Sequence, residues 1–167
     1  MEIEVKVSED GLVDRFTGVV TFFLQNTESK RELPVTVDPY TTRAIVEAMQ
    51  GIKSALPMAH DLFKNVISEL GGEVIKVVIA DLKEHTYYAL IYLKNKTKPL
   101  DSRASDAIAL ALRFKCPIYV EEAVFLKHEA EMKAAKEALS EKPESGGPTQ
   151  KQPEKLEEMD PEKMHKA

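Results

Sequence analysis

Ile3, Val5 and Val7 alternate with Glu4 and Lys6, the period-two pattern of a strand with one buried face. Ser8-Glu9-Asp10-Gly11 reads as a turn, Phe16 to Gln25 as a second strand, and Asn26-Thr27-Glu28-Ser29-Lys30 as a polar turn. Leu33 to Val37 makes a third strand, with Pro34 suited to a sheet edge because it cannot donate to a ladder. The period then becomes helical. Asp38 can cap a helix whose first position is Pro39, whose buried stripe is Ala44, Ile45, Ala48 and Met49, and which Gly51 ends. Leu56-Pro57-Met58-Ala59-His60-Asp61 leads into a second helix with the stripe Leu62, Phe63, Val66, Ile67 and Leu70, stopped by Gly71-Gly72.

The second half repeats this order. Glu73 to Leu82 is a strand apolar on both faces, Lys83-Glu84-His85 a turn, Thr86 to Leu93 its hairpin partner, and Leu100 ends a short third strand. A helix follows from Asp101, with Ser102 or a neighbour as its cap and Ala107, Ile108, Ala111 and Leu112 as its core face. Lys115-Cys116-Pro117 stops it, Ile118 to Val120 is a short buried strand, and Glu121 to about Leu139 is a last helix. Strands in hairpins with helices grouped after them predict an α+β fold on a mainly antiparallel sheet. The two strand-helix units match in element order but not in residues, which suggests a structural duplication. They could close into one barrel-like sheet with helices packed outside, leaving few exposed edges. Residues 1–139 form the expected domain. From 140 to 167 no apolar segment can anchor a core, and the composition is that of a disordered polar tail.

Composition narrows the class. A hydrophobic fraction of 43% supports a core, and no apolar run reaches the roughly 20 residues that span a bilayer. The N-terminus has no signal-peptide pattern. With a single Cys116 there is neither an internal disulfide framework nor a cysteine zinc cluster, so a cytoplasmic protein without a membrane segment is expected. Cys116 itself reads as a small buried side chain and not as a nucleophile. The formal net charge of −5 does not advertise nucleic-acid binding. The densest basic cluster, Lys94-Asn95-Lys96-Thr97-Lys98, reads as a solvated hairpin turn, with a phosphate track as its alternative.

No P-loop, Rossmann glycine pattern, His-Glu-x-x-His helix or Gly-x-Ser-x-Gly elbow is present. Two polar clusters remain, His60-Asp61 and Asp101-Ser102-Arg103-Ser105-Asp106, both at expected helix starts. Their residue types suit phosphodiester hydrolysis. Carboxylates can hold Mg²⁺ or Mn²⁺, a His can carry the proton, and an Arg can grip phosphate. They equally suit N-caps and salt bridges that tie helix starts to the sheet. Both clusters precede strongly apolar stripes, so packing those stripes on one core is expected to aim both helix starts into one cleft. Unless a cation, Arg103 or His60 sat between them, the gathered carboxylates would then repel one another and the pKa of one of them would rise.

Several stretches resemble the bifunctional nuclease family. They are Leu33-Pro34-Val35, Pro57-x-x-His60-Asp61-Leu62, Thr86-Tyr87-Tyr88-Ala89, Asp101-x-Arg103-x-Ser105-Asp106-Ala107-Ile108-x-Leu110-Ala111 and Pro117-Ile118-Tyr119-Val120. The resemblance runs from about residue 3 to about residue 126. It implies an α+β fold with duplicated strand-helix units, homodimers or larger homo-oligomers, and nuclease activity on RNA and DNA. The chain departs from the pattern at Asp38 (usually glycine), Thr41-Thr42 (a Glu-Ala pair), Leu56 (Arg), Ala59 (Thr) and Ala104 (Pro). A carboxylate, a guanidinium and a hydroxyl of the family pattern are thus absent.

The sequence therefore carries two main expectations. One is a nuclease of low sequence specificity, with His60, Asp61, Asp101 and Asp106 as catalytic residues, Arg103 and Ser105 on the phosphate, and Asp101 with Asp106 holding Mg²⁺ or Mn²⁺. The other is a non-catalytic interaction or regulatory module of the same fold. A small-ligand pocket inside a barrel-like sheet is a third.

Overall fold

The computed structural model describes residues 1–26 and 28–140. The segment read as a polar tail lies outside the described residues apart from Ser140, the last residue of a helix. The strands are β1 (Glu2–Val13), β2 (Val20–Gln25), β3 (Glu32–Val37), β4 (Val74–Lys83), β5 (Thr86–Leu93), β6 (Leu100–Arg103) and β7 (Ile118–Glu121). The helices are α1 (Pro39–Gln50), α2 (Ala59–Glu69), α3 (Ala104–Phe114) and α4 (Glu122–Ser140). All seven strands join one sheet in the order β3-β2-β1-β7-β4-β5-β6, curled into a half-barrel. Each pairing is antiparallel except β4 with β7. The fold is thus α+β with a mainly antiparallel, barrel-like sheet, as the strand pattern implied.

Each half supplies a three-stranded meander, and β7 joins them by pairing antiparallel with β1 and parallel with β4. Pro34 lies on β3, an outer strand, the part of a sheet where a residue without an N–H is tolerated. The β4–β5 hairpin turns through Glu84 and His85, both at positive φ, as the two-residue turn matching strand twist requires. Asp38 caps α1 by accepting from the N–H groups of Tyr40 and Thr41, both at 3.0 Å. Gly51 closes that helix at φ 67°, a conformation open to glycine at no steric cost.

Helix α3 is the centre of the packing. Ala104, Ala107, Ala109 and Ala111 are buried together with Ile108 and Leu110. Small side chains on several faces let it lie close to α1, α2 and the strands of the concave surface. Ile45 of α1, Ile79 of β4, Val120 of β7 and Phe125 of α4 complete the same cluster.

Five local expectations are corrected. Ser8 to Gly11 is no turn: β1 runs through it, with an irregularity in its register against β2 between Val7 and Gly11. β2 begins at Val20 and not at Phe16, because the Asp14 carboxylate accepts from the N–H groups of Phe16 and Thr17 and closes a turn that leaves Phe16 exposed. Leu100 starts β6 instead of ending a strand, so Asp101 and Ser102 are strand residues. The α3 N-cap is Arg103, and no side chain caps that helix. Finally, no residue of α2 is buried, and Leu62, Phe63, Val66 and Leu70 are exposed.

Candidate active site

The two polar clusters meet. His60 sits in the first turn of α2 and Asp106 in the first turn of α3. The His60 Nε2 lies 3.1 Å from Asp106 Oδ1 across 46 residues of sequence. Arg103, at the β6–α3 junction, donates from Nε to Asp106 Oδ2 at 2.7 Å and from Nη2 to Asp106 Oδ1 at 3.0 Å. This is the bidentate fork that a guanidinium makes with a carboxylate. Arg103 Nη1 also faces Asp38 Oδ2 at 3.9 Å. These side chains line one wall of a cleft of about 730 Å³. Met58, Phe63, Ile67, Leu93 and Leu110 supply its apolar wall, and Tyr40, Thr41, Asp101 and Ser102 reach it as well.

Burial pushes the Asp106 carboxyl upward, but the hydrogen bonds from Arg103 and His60 outweigh it and hold the group below the usual carboxylate range. Asp38 is held low as well, chiefly by the Thr41 N–H and hydroxyl. Arg103 and His60 thus stand against Asp106, the condition under which the expected repulsion is relieved, and Asp38 has donors of its own in Thr41.

The other site candidates separate. Asp61 does not enter the cleft. Its Oδ1 accepts from Arg113 Nε at 2.6 Å and its Oδ2 from the Met58 N–H at 3.0 Å. Arg113, only 6% exposed, donates further to the carbonyls of Ala44 and Ala109. Adjacent helix positions point about 100° apart, so His60 and Asp61 serve different neighbours. Asp101 lines the cleft from β6. Ser105 is buried and faces a second cavity of about 590 Å³, beside Arg103 but away from the His60 side.

A resident divalent cation does not fit this arrangement. Both Asp106 oxygens already accept hydrogen bonds, from Arg103 and His60. Among the described residues no three His, Cys, Asp or Glu side chains gather where they could hold one. The expected pair Asp101 and Asp106 would need Arg103 displaced before it could act as a metal site.

The structure adds residues the sequence reading passed over. Asp38 was read only as a cap and a departure, yet it brings a carboxylate to Arg103 close to Thr41, where the family pattern has its Glu-Ala pair. The second cavity is lined by Tyr87, whose hydroxyl lies 3.1 Å from His128 Nδ1, and by His85, whose Nδ1 lies 2.9 Å from Glu131. Burial, with the Glu131 charge adding, pushes the Tyr87 hydroxyl up to about 12. These partners are 41 and 46 residues apart, and no local motif announces them. Burial also pushes the Cys116 thiol up to about 11, which suits its reading as a packing residue.

The family model described as bifunctional nuclease domain matches residues 22–133. An uncharacterized protein of Mycobacterium tuberculosis is 39% identical over 101 residues, covering 60% of this chain and 61% of the relative. Bifunctional nuclease 2 of Arabidopsis thaliana is 31% identical over 93 residues, covering 53% of this chain and 28% of the plant protein. Bifunctional nuclease 1 of Oryza sativa subsp. japonica is 30% identical over the same length, again over 28% of the plant protein.

Proposed function

This chain belongs to the bifunctional nuclease domain family, and from that premise we propose that its His60–Asp106–Arg103 cleft hydrolyses phosphodiester bonds in RNA or DNA with low sequence specificity. One observation carries the reading: a histidine, its carboxylate partner and a guanidinium, drawn from two distant segments, converge in one cleft. Asp106 holds His60 through Nε2, which leaves Nδ1 to take a proton from the attacking hydroxyl or return one to the leaving oxygen. Arg103 keeps a side chain that is 67% exposed despite its pairing, so a phosphate oxygen can share its outer N–H groups. Charge building on the phosphate is then met by a fixed cation. Asp101 stands at the rim. Asp61 holds α2 to Arg113, and its part is structural.

The test is cleavage of fluorescent single-stranded RNA and DNA by the purified chain, with and without chelator. His60→Ala should slow cleavage by roughly 10²–10⁴-fold, the range for loss of a general acid–base group. Arg103→Ala should cost on the order of 10²–10³-fold, and Asp106→Asn should abolish measurable cleavage with the fold retained. Cleavage that depends on added Mg²⁺ or Mn²⁺ would overturn the metal-free arrangement. If the parent does not cleave, the interaction-module reading replaces the nuclease. The exposed apolar stripe of α2, Leu62, Val66 and Leu70, favours that second reading and suits contact with a second copy of the chain.

A further inference from the structure

We propose that a basic depression at the C-terminal ends of α2 and α3 binds the phosphate backbone of the nucleic acid whose scissile bond lies in the His60–Asp106 cleft; the inference rests on the nuclease reading. The depression, about 740 Å³, is lined by Lys64 of α2, Lys94 at the end of β5 and Lys115 after α3. Lys64 and Lys115 also line an adjoining hollow with Lys53. Of the acidic side chains in the depression, Glu73 is taken up by Lys94 at 2.9 Å. In the adjoining hollow, Asp61 is held by Arg113 and Glu47 by Arg43. Among the described residues Lys53, Lys64, Lys96, Lys98 and Lys115 have no carboxylate within ion-pair distance. The excess positive charge of a chain of net charge −5 is thus local, and it draws on three elements far apart in sequence.

The placement relative to the cleft is what points to a polynucleotide. The same elements line both hollows. His60, Phe63 and Ile67 of α2 face the cleft while Lys64 and Ser68 face the depression; Leu110 and Phe114 of α3 divide in the same way, and so do Leu93 and Lys94. From Asp106 to Lys115 is nine positions, roughly 14 Å at the helical rise. A strand seated on Arg103 would therefore carry later phosphates past the lysines, and each phosphate neutralised would release counterions. The Lys94–Lys98 turn, read from sequence as a solvated hairpin turn with a phosphate track as its alternative, reaches the depression through Lys94 and Asn95.

The experiment measures binding and cleavage separately. A 20-nucleotide fluorescein-labelled oligouridylate is titrated with the His60→Ala chain by anisotropy at several salt concentrations. The same titration is run with Lys53→Gln, Lys64→Gln and Lys115→Gln added together. The triple variant should bind roughly tenfold or more weakly, and its log–log salt slope should fall by about 2, near 0.7 per phosphate contact on single strands. In the His60 background of the parent, the same three changes should slow cleavage of the 20-mer and leave a dinucleotide, too short to reach the lysines, cleaved at the parent rate. Unchanged affinity and slope would overturn the proposal. So would a lowered melting temperature with binding intact, which would leave Lys115 only the task of offsetting a helix C-terminus. A parent chain that binds through the lysines but never cleaves would refute the nuclease reading while supporting the track.

Discussion

Asp61 and Asp106 stand at equivalent places in neighbouring helices, and their different partners give them different consequences. Asp61 answers a guanidinium that is 6% exposed. Asp61→Ala leaves that cation without a partner and should cost about 3 kcal/mol, the lower end for breaking a buried pair because Asp61 is itself partly exposed; urea denaturation measures this. The Arg113 hydrogen bond holds the Asp61 carboxyl below its usual range, and Arg103 with His60 overcomes burial to do the same for Asp106. Folded values below the unfolded value of about 3.9 mean that both pairs stabilise fully above it. That stability is lost as pH falls through the folded values. Melting temperatures between pH 6 and pH 2 should therefore drop on the acid side, and Asp61→Asn should flatten the drop. An unchanged acid limb would show that Asp61 carries no linked proton.

Helices α2 and α3 read alike from their stripes and pack in opposite ways. α3 is enclosed on several sides, and Ile108 is 1% exposed while Leu112 is only half-buried. Ile108→Ala should cost roughly 2–5 kcal/mol, the usual range for truncating a buried aliphatic side chain. Leu112→Ala should cost clearly less, because part of its side chain already meets water. Equal losses at the two positions in denaturant titrations would contradict the packing. α2 has no such enclosure. It rests on the core through Ile67 and on α3 through the His60–Asp106 and Asp61–Arg113 pairs, while Leu62, Val66 and Leu70 line up one turn apart on its outer side.

That outer stripe matters most for the whole molecule. A contiguous exposed apolar stripe on a helix marks an interaction surface, and a symmetric dimer would bury it against itself. Light scattering after size exclusion should give a dimer or larger species for the parent chain. Leu62→Glu with Val66→Glu should give a monomer of retained helix content. A monomeric parent would remove self-association from the picture and leave the stripe to another partner. The sheet itself does not divide: β7 is hydrogen-bonded to β1 of one half and β4 of the other, so the two strand-helix units share one core.

Strand alternation, the Asp38-Pro39 start and the apolar stripe of α3 are local properties, so the sequence alone determined the α+β class, most elements and the family resemblance. Burial periodicity reports only that a stripe will be covered, not by what, and for α2 nothing within the described residues covers it. Turn composition cannot tell a true reversal from an irregular strand, which is why Ser8 to Gly11 was misread. The same limit applies to chemistry. Residue types marked His60, Arg103 and Asp106, and Arg103 reaches Asp106 within one helical turn, but only the packing of α2 on α3 set His60 within hydrogen-bond reach. The same packing turned Asp61 to Arg113, and the wider tertiary structure brought Asp38 to the cleft and gathered Lys64, Lys94 and Lys115 into one hollow. Those outcomes depend on distances between segments tens of residues apart, and such distances exist only once the sheet has curled and the helices have docked.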